Sequence, residues 1–196
     1  MLLHDKLKEY RLILASQSPR RRQLLADAGI EFELAPRFEC EESFPDTMPA
    51  HEVAEYLSRL KSEAYPEPLG ERDILLTADT VVIAHSRILG KPVDRAEAIV
   101  MISMLSGCEH DVVTGVTLRT ATRTHSFSVK SKVRFRALDD EEIAYYVDTY
   151  RPYDKAGAYG IQEWIGCTAI ESISGSFYNV MGLPVAALYK QLKQFV

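Results

Sequence analysis

The chain has 196 residues, of which 46% are hydrophobic and 26% charged, a composition typical of a soluble globular protein that can bury a core. Its formal net charge of −5 argues against nucleic acid as a partner, because the protein as a whole would repel a polyanion and only local basic clusters would attract it. Three cysteines without a CxxC spacing, no hydrophobic leader and no apolar run near 18 residues predict a reduced, cytoplasmic protein that is neither secreted nor membrane-spanning.

The first informative segment is SQSPRRR at 16–22, which follows the apolar run LILA at 12–15. This order predicts a strand, a tight turn and a helix that begins at Pro19 with Ser18 as its N-cap. Arginines in the first turn of a helix oppose its dipole, which favours acidic residues there. They are therefore candidates for binding a phosphate together with backbone N–H groups, and the alternative is a solvated basic patch.

Between the end of this helix near Gly29 and Gly107, apolar runs alternate with polar turns. The patterns predict a strand at 32–35, an acidic loop at 36–49, a helix at 53–64, a strand at 74–84 and a helix at 94–107. The last of these begins with Asp94 and Glu97, which resemble a capping box.

The rest of the chain begins with two β-rich stretches that look like neighbouring antiparallel strands, at 111–119 and 124–136. Asp139 or Asp140 is then expected to cap a helix that reaches Tyr150. There follow an irregular segment with several glycines at 157–166, a strand at 168–173 and a closing helix at 184–196. Because strands and helices mix without strict βαβ alternation, we expect an α/β or α+β fold with a mixed sheet.

Asp79 is the one acidic residue inside the hydrophobic strand ILLTADTVVIA. It is either a strand-end carboxylate hydrogen-bonded to Thr80 or a general base or metal ligand in a cleft, and its apolar flanks favour the second interpretation. The loop FECEES carries Glu39, Glu41 and Glu42. If this loop faces Asp79, the carboxylates with phosphate oxygens would suit Mg²⁺ or Mn²⁺, whereas no His/Cys spacing supports zinc.

Three lysines break the local patterns. Lys61 lies at the edge of an apolar helical face, Lys91 in the turn GKP and Lys155 in the glycine-containing loop YDKAGAYG. Each alone is typical of a surface lysine. Together with the three arginines at 20–22 they supply six basic residues from four segments. A triphosphate needs positive charge from several directions, with a metal to neutralise the rest.

Seven segments, in this order, resemble the Maf family of nucleoside triphosphate pyrophosphatases: LILASQSPRRRQLL, the lysine in LSRLKSEA, TADTVV, LGKP, MLSGCEHDVVTGV, DKAGAYGIQ and GSFYNVMGLPV. The resemblance runs from Leu12 to the closing helix and implies a single domain over 1–196, with two lobes and no clear linker. It also implies an elongated α/β protein whose mixed, twisted sheet is flanked by helices, with a cleft between the lobes, and a homodimer is one expectation.

The resemblance implies that the protein cleaves a nucleoside triphosphate between its α and β phosphates and requires a divalent metal cation, Mg or Mn. Asp79 of TADT would be the general base that activates water, and Glu41 and Asp79 would hold the metal. The residues that would bind the phosphates are Ser16, Arg21, Lys61 and Lys91.

The forms SPRR, ADT and YGIQ are similar to the dTTP/UTP-specific branch, in which Arg20, Thr80 and Gln162 would select the base. A glutamine amide both donates and accepts, which matches the O4/N3–H edge of thymine or uracil. The 7-methyl-GTP branch instead has SPFR, SDQ and a serine-glutamate pair in place of the glutamine. The family usually has glycine after the glutamine, whereas this chain has Glu163, which adds charge and bulk beside the proposed base reader.

We therefore expect a cytoplasmic, metal-dependent pyrophosphatase that hydrolyses dTTP and UTP and could clear modified pyrimidine nucleotides, with no nucleic acid or membrane as partner. One alternative is a 7-methyl-GTP or purine nucleotide pyrophosphatase. The other is a nucleotide-binding regulator of cell division without turnover.

Overall fold

The computed structural model describes residues 2–196, and its strands form a seven-stranded mixed sheet with helices packed against it. In chain order the strands β1 to β7 are Arg11–Leu14, Glu33–Leu34, Asp73–Ala84, Arg87–Leu89, Glu109–Arg119, Thr124–Phe135 and Ile170–Ser174. The helices α1 to α8 are Leu3–Leu7, Pro19–Asp27, Ala50–Glu63, Arg95–Leu105, Asp140–Tyr150, Trp164–Ala169, Phe177–Met181 and Val185–Phe195. The expected α/β class with a mixed sheet and flanking helices is confirmed.

The strand order is β2-β1-β3-β5-β6-β7, with β4 paired to β3 off this path. Strand β1 is parallel to both β2 and β3, and its pairing with β3 ends at Leu14 opposite Leu76. Strands β3 and β4 form a hairpin whose two turn residues, His85 and Ser86, have φ values of 49° and 60°. Two successive positive φ values are typical of the turn that matches the twist of a two-residue hairpin.

Contacts divide the chain into two compact units. The first comprises the residues up to Asp79 with Thr114–Val129 and Gly182–Val196, and the second comprises Thr80–Val113 and Lys130–Met181. A core cluster of the first unit joins β1, β3 and the segment after α3, through Ile13, Leu75 and Tyr65. The core of the second unit joins β3, α4, β6 and α5, and its members include Val82, Ile102, Phe135 and Tyr146.

Most elements lie within a few residues of where the sequence patterns place them. Helix α5 begins with the expected aspartate cap, Asp139, which forms part of a full capping box. Asp139 accepts the backbone N–H of Glu142, and the Glu142 carboxylate accepts the backbone N–H of Asp139. In α4 the box is only half formed, because Asp94 accepts from Glu97 while the Glu97 carboxylate accepts from Val93 instead.

Three short helices, α1, α6 and α7, do not follow from the sequence patterns. The strand predicted from residue 168 begins only at Ile170, because residues 164–169 form α6. This helix depends on a close backbone approach, since a Cβ built on Gly166 would lie 1.7 Å from the carbonyl oxygen of Ile161. None of the helices in residues 2–196 combines the length and apolarity needed to cross a membrane.

Candidate active site

The turn after β1 is organised by the Ser16 hydroxyl. Its Oγ accepts the backbone N–H of Ser18 at 3.2 Å and an N–H of Arg21 (Nη1) at 3.3 Å. Ser18 occupies the expected N-cap position of α2 with extended backbone, although its side chain makes no capping hydrogen bond. Ser16 thus joins the end of β1 to the arginine-rich first turn of α2.

Arg21 is the arginine that this turn holds in place. Its Nε donates to the carbonyl oxygen of Gly182 at 2.8 Å, and the side chain is half-buried. Burial lowers the pKa of the Arg21 guanidinium, while the negative charges of Asp79 and Glu42 act in the opposite direction. Arg20 adds a further positive charge close enough to lower the same pKa. The segment therefore presents a half-buried cation that lies within electrostatic reach of two carboxylates.

Strand β3 places Asp79 through the alternation of its side chains. The parallel pairing with β1 ends at Leu14–Leu76, and beyond that point β3 continues without this neighbour. Thr77 is fully buried and donates to the carbonyl oxygen of Ser58 in α3 at 2.7 Å. Because side chains two residues apart lie on the same face of a strand, Asp79 also faces α3.

Helix α3 places Lys61 through its contact with the sheet. Ala54, Ser58 and Lys61 are spaced by four and three residues and share one face of the helix. The helix lies very close to β5 at Gly115, where a Cβ would come within 2.2 Å of the Ala54 carbonyl oxygen. The close approach brings Lys61 Nζ to 2.5 Å from Asp79 Oδ1.

One lysine ammonium joins two carboxylates at this point. Lys61 Nζ also lies 3.1 Å from Glu42 Oε2, which comes from the loop between β2 and α3. The side chains of Lys61 and Asp79 are only 15% and 13% exposed, whereas that of Glu42 is 46% exposed. We call these three residues the Lys61 triad. It combines the largely buried carboxylate of Asp79 with the carboxylate of Glu42, which reaches solvent.

The donor set of the Lys61 triad fits a hard divalent cation. Asp79 and Glu42 hold their oxygens around a single cationic atom, and carboxylate oxygens are the ligands that Mg²⁺ and Mn²⁺ prefer. Within residues 2–196 no group of three or more His, Cys, Asp or Glu side chains is arranged to hold a metal by itself. Mg²⁺ in proteins is commonly held by one or two carboxylates together with substrate phosphates, which matches this arrangement.

The structure therefore brings together four of the residues that the sequence singles out. Ser16 and Arg21 are hydrogen-bonded, Lys61 and Asp79 form an ion pair, and Arg21 is electrostatically coupled to Asp79. Glu41, the expected metal ligand, is exposed, and its neighbour Glu42 is the carboxylate on Lys61. The metal role of Glu41 stays a prediction.

Arg20, which is half-buried, precedes Arg21 in α2, and the three remaining predicted residues belong to the second unit. Thr80 is half-buried and directly follows Asp79, whereas Lys91, just after β4, and Gln162, just before α6, are exposed. Their roles in binding nucleotide stay predictions. Sequence reasoning did not single out Gly115, although an isolated glycine inside a strand pattern signals a close backbone approach.

The chain is similar in sequence to known proteins over nearly its whole length. A family model described as Maf-like protein matches residues 11–195. The chain belongs to the Maf family. A relative in Parabacteroides distasonis named dTTP/UTP pyrophosphatase is 50% identical over 97% of this chain and 99% of its own. Relatives with the same name in Porphyromonas gingivalis and Flavobacterium johnsoniae are 52% and 44% identical, over 97% and 100% of both chains.

Among solved structures, this Maf chain is similar to a nucleoside-triphosphatase/dITP/XTP pyrophosphatase from Mycobacterium abscessus. The sequences are 12% identical, the similarity covers 95% of this chain and 98% of the other, and the TM-score is 0.44. A likeness at this level says nothing about substrate.

Proposed function

We propose that this Maf protein is a cytoplasmic nucleoside triphosphate pyrophosphatase that hydrolyses dTTP and UTP to the monophosphate and pyrophosphate. The observation that carries the proposal is the Lys61 triad, a largely buried lysine–aspartate pair with a second carboxylate, electrostatically coupled to Arg21. Relatives that are 44–52% identical over nearly their whole length bear the name dTTP/UTP pyrophosphatase, which supports the same substrate class.

In the proposed reaction, Asp79 is the general base. Its carboxylate accepts a proton from a water molecule, whose oxygen attacks the α-phosphorus of the nucleotide. The bond between the α-phosphorus and the oxygen that bridges to the β-phosphorus breaks, and the pyrophosphate leaves with the electron pair. Lys61 and Arg21 supply positive charge for the phosphate oxygens, which become more negative as that bond breaks. Ser16 holds Arg21 in the orientation that this role requires.

We infer that Asp79 holds a divalent cation together with an acidic residue of the loop at 41–42. Glu41 is the ligand that the family resemblance implies, and the contact of Glu42 with Lys61 supports Glu42 as a second candidate. Such a cation would neutralise phosphate charge and act as a Lewis acid on the phosphoryl group.

Base selection falls to Arg20, Thr80 and Gln162 in this proposal. The exposed Gln162 amide can donate to O4 and accept from N3–H of thymine or uracil at the same time. Lys91, which is exposed between β4 and α4, would add positive charge for the phosphates.

The decisive experiment measures pyrophosphate release from a panel of nucleoside triphosphates by the parent and by Asp79→Asn, with Mg²⁺ or Mn²⁺ present. The amide has nearly the shape of the carboxylate but cannot accept the proton from water, so kcat for dTTP should fall by about 10²–10⁴-fold. Asp148→Asn is the matched control, because Asp148 is an exposed carboxylate paired with Arg95 in the second unit. If Asp79→Asn keeps the parent's activity, Asp79 is not the base.

A further inference from the structure

The segment that carries Gln162 is anchored at its beginning by a tight backbone contact. It runs from Lys155 through a short 3₁₀ turn, Ala156–Ala158, to the start of α6. The N–H of Gly157 donates to the carbonyl oxygen of Gly90 at 3.0 Å. Gly157 has φ +69°, and a Cβ there would lie 2.8 Å from Val82 Cγ2. The beginning of the segment is therefore fixed against β3 and the residue that follows β4.

The end of the segment is held by both oxygens of the Glu163 carboxylate. The hydroxyl of Tyr146 donates a short hydrogen bond to Glu163 Oε2, and Lys155 Nζ lies 3.1 Å from Glu163 Oε1. The same Tyr146 oxygen accepts the backbone N–H of Gly160 at 3.0 Å. We call Glu163, Tyr146 and Lys155 the Glu163 clamp, because together they connect α5 to both ends of the segment.

The Glu163 clamp is mostly buried, so its bonds are expensive to break. Tyr146 is fully buried, Lys155 is 8% exposed, and the Glu163 side chain is 18% exposed. Burial, and then the hydrogen bond to Glu163, raise the pKa of Tyr146, which keeps its hydroxyl protonated as the donor. Lys155 Nζ also lies 2.7 Å from Asp154 Oδ1, but that side chain is 57% exposed, so Glu163 is the more buried of the two carboxylates. A buried charge that loses a partner is destabilised, which favours the observed arrangement over looser ones.

The turn between Gly160 and Glu163 directs one polar side chain outward. The N–H of Glu163 donates to the carbonyl oxygen of Gly160 at 3.0 Å and closes the turn. Gly160 and Ile161 are buried, whereas Gln162 is exposed. A Cβ on Gly160 would lie 2.8 Å from Glu163 Cδ and 3.0 Å from Lys155 Cε, so the turn is packed tightly against the clamp. The backbone on both sides of Gln162 is therefore fixed by Glu163.

We propose that Glu163 is a positioning residue for nucleobase selection, which it exerts through Gln162. The proposal rests on the proposed function and gives the charge at 163 a role that a glycine there could not fill. Bidentate recognition of a base edge requires the amide to be placed within about 0.5 Å, and a turn anchored at both ends meets that requirement. A purely structural ion pair would add stability without affecting the choice of base.

The test compares kcat/KM for dTTP with kcat/KM for dGTP in the parent and in two variants. Glu163→Gln removes the more buried of the two carboxylate charges that Lys155 binds but keeps an acceptor for Tyr146. Tyr146→Phe removes the hydroxyl that joins Glu163 to Gly160. We expect the dTTP/dGTP ratio to fall about tenfold in each, mainly through a higher KM for dTTP, as for the loss of one or two aligned hydrogen bonds.

Glu142→Gln is the matched control. Glu142 pairs with Arg136 and belongs to the capping box of α5, which carries Tyr146, so this variant should lower Tm without changing the dTTP/dGTP ratio. If Glu163→Gln lowers Tm and leaves the ratio within twofold of the parent's, the clamp is only structural and the proposal is wrong. Should Tyr146→Phe fail to fold, Glu163→Gln alone decides. A parent that releases no pyrophosphate from dTTP overturns the proposed function as well, so the two failures are distinguishable.

Discussion

Helix α3 lies very close to β5 at Gly115, and this close contact positions Lys61. The variant Gly115→Ala tests how far the site depends on the contact. The added Cβ would lie 2.2 Å from the carbonyl oxygen of Ala54, 2.3 Å from its carbonyl carbon and 2.3 Å from the backbone nitrogen of Glu55. All three are backbone atoms, so no side-chain rotation can relieve the contact. Ordinary non-bonded contacts between heavy atoms lie near about 3.5–4.0 Å, so α3 must move away by roughly 1 Å or more.

Two effects follow from this displacement. Overpacking of this kind costs about 1–3 kcal/mol in the free energy of unfolding. Lys61 lies on the same face of α3 as Ala54, seven residues further along, so it moves with the helix away from Asp79. A displacement of about 1 Å in a catalytic group can cost about 100-fold in rate. We therefore expect Gly115→Ala to lose activity even under conditions where it remains folded.

Urea denaturation measures the first effect, and pyrophosphate release from dTTP, normalised to the folded fraction, measures the second. Gly90→Ala is the control for stability, because a Cβ at Gly90 meets nothing within 4 Å. A Gly115→Ala protein as stable and as active as the parent would refute the close contact itself. A destabilised protein with full activity per folded molecule would instead refute the link between the contact and Lys61.

Two further predictions concern charge. Lys61→Met leaves Asp79 and Glu42 without their shared cation, so kcat/KM for dTTP should fall at least about 100-fold, and Lys61→Arg should recover part of it if charge is the main contribution. Burial lowers the pKa of His110 to about 4 from 6.5, so the unfolded chain binds a proton between these values that the folded chain does not. Stability should therefore fall as pH drops through this window, by about 3 kcal/mol more than in His110→Asn, and equal pH dependence of urea unfolding in the two proteins would contradict it.

The residues of the candidate site stand out in the sequence because each interrupts a strong local pattern. Asp79 stands inside an apolar strand, Lys61 at the edge of an amphipathic helix and the arginines where acidic residues are favoured. Which of them touch each other depends on long-range packing that no local pattern encodes. The contact between Lys61 and Asp79 requires the β1–β3 register and the approach of α3 at Gly115.

Several contacts that the sequence patterns do not specify depend on competition between neighbouring groups. Ser18 has the residue type and position of an N-cap, but its backbone N–H binds the Ser16 hydroxyl and its own side chain caps nothing. Glu41 and Glu42 are chemically identical, and only the path of the loop decides that Glu42 reaches Lys61. Helix α6 depends on Gly166 lying against the backbone of Ile161, a contact that a glycine in a glycine-rich segment does not reveal.

The family resemblance implies that Lys61 binds a phosphate, whereas in the structure it contacts the carboxylates of Asp79 and Glu42. These roles are compatible, because a lysine ammonium carries three N–H donors and the contacts to Asp79 and Glu42 account for two of them. A phosphate oxygen could accept the remaining donor without displacing Asp79. Glu42 is the more exposed partner and so the easier one to displace. Lys61 can therefore orient the base and bind the substrate at once, which would place Asp79 at hydrogen-bonding distance from the lysine that binds the phosphates.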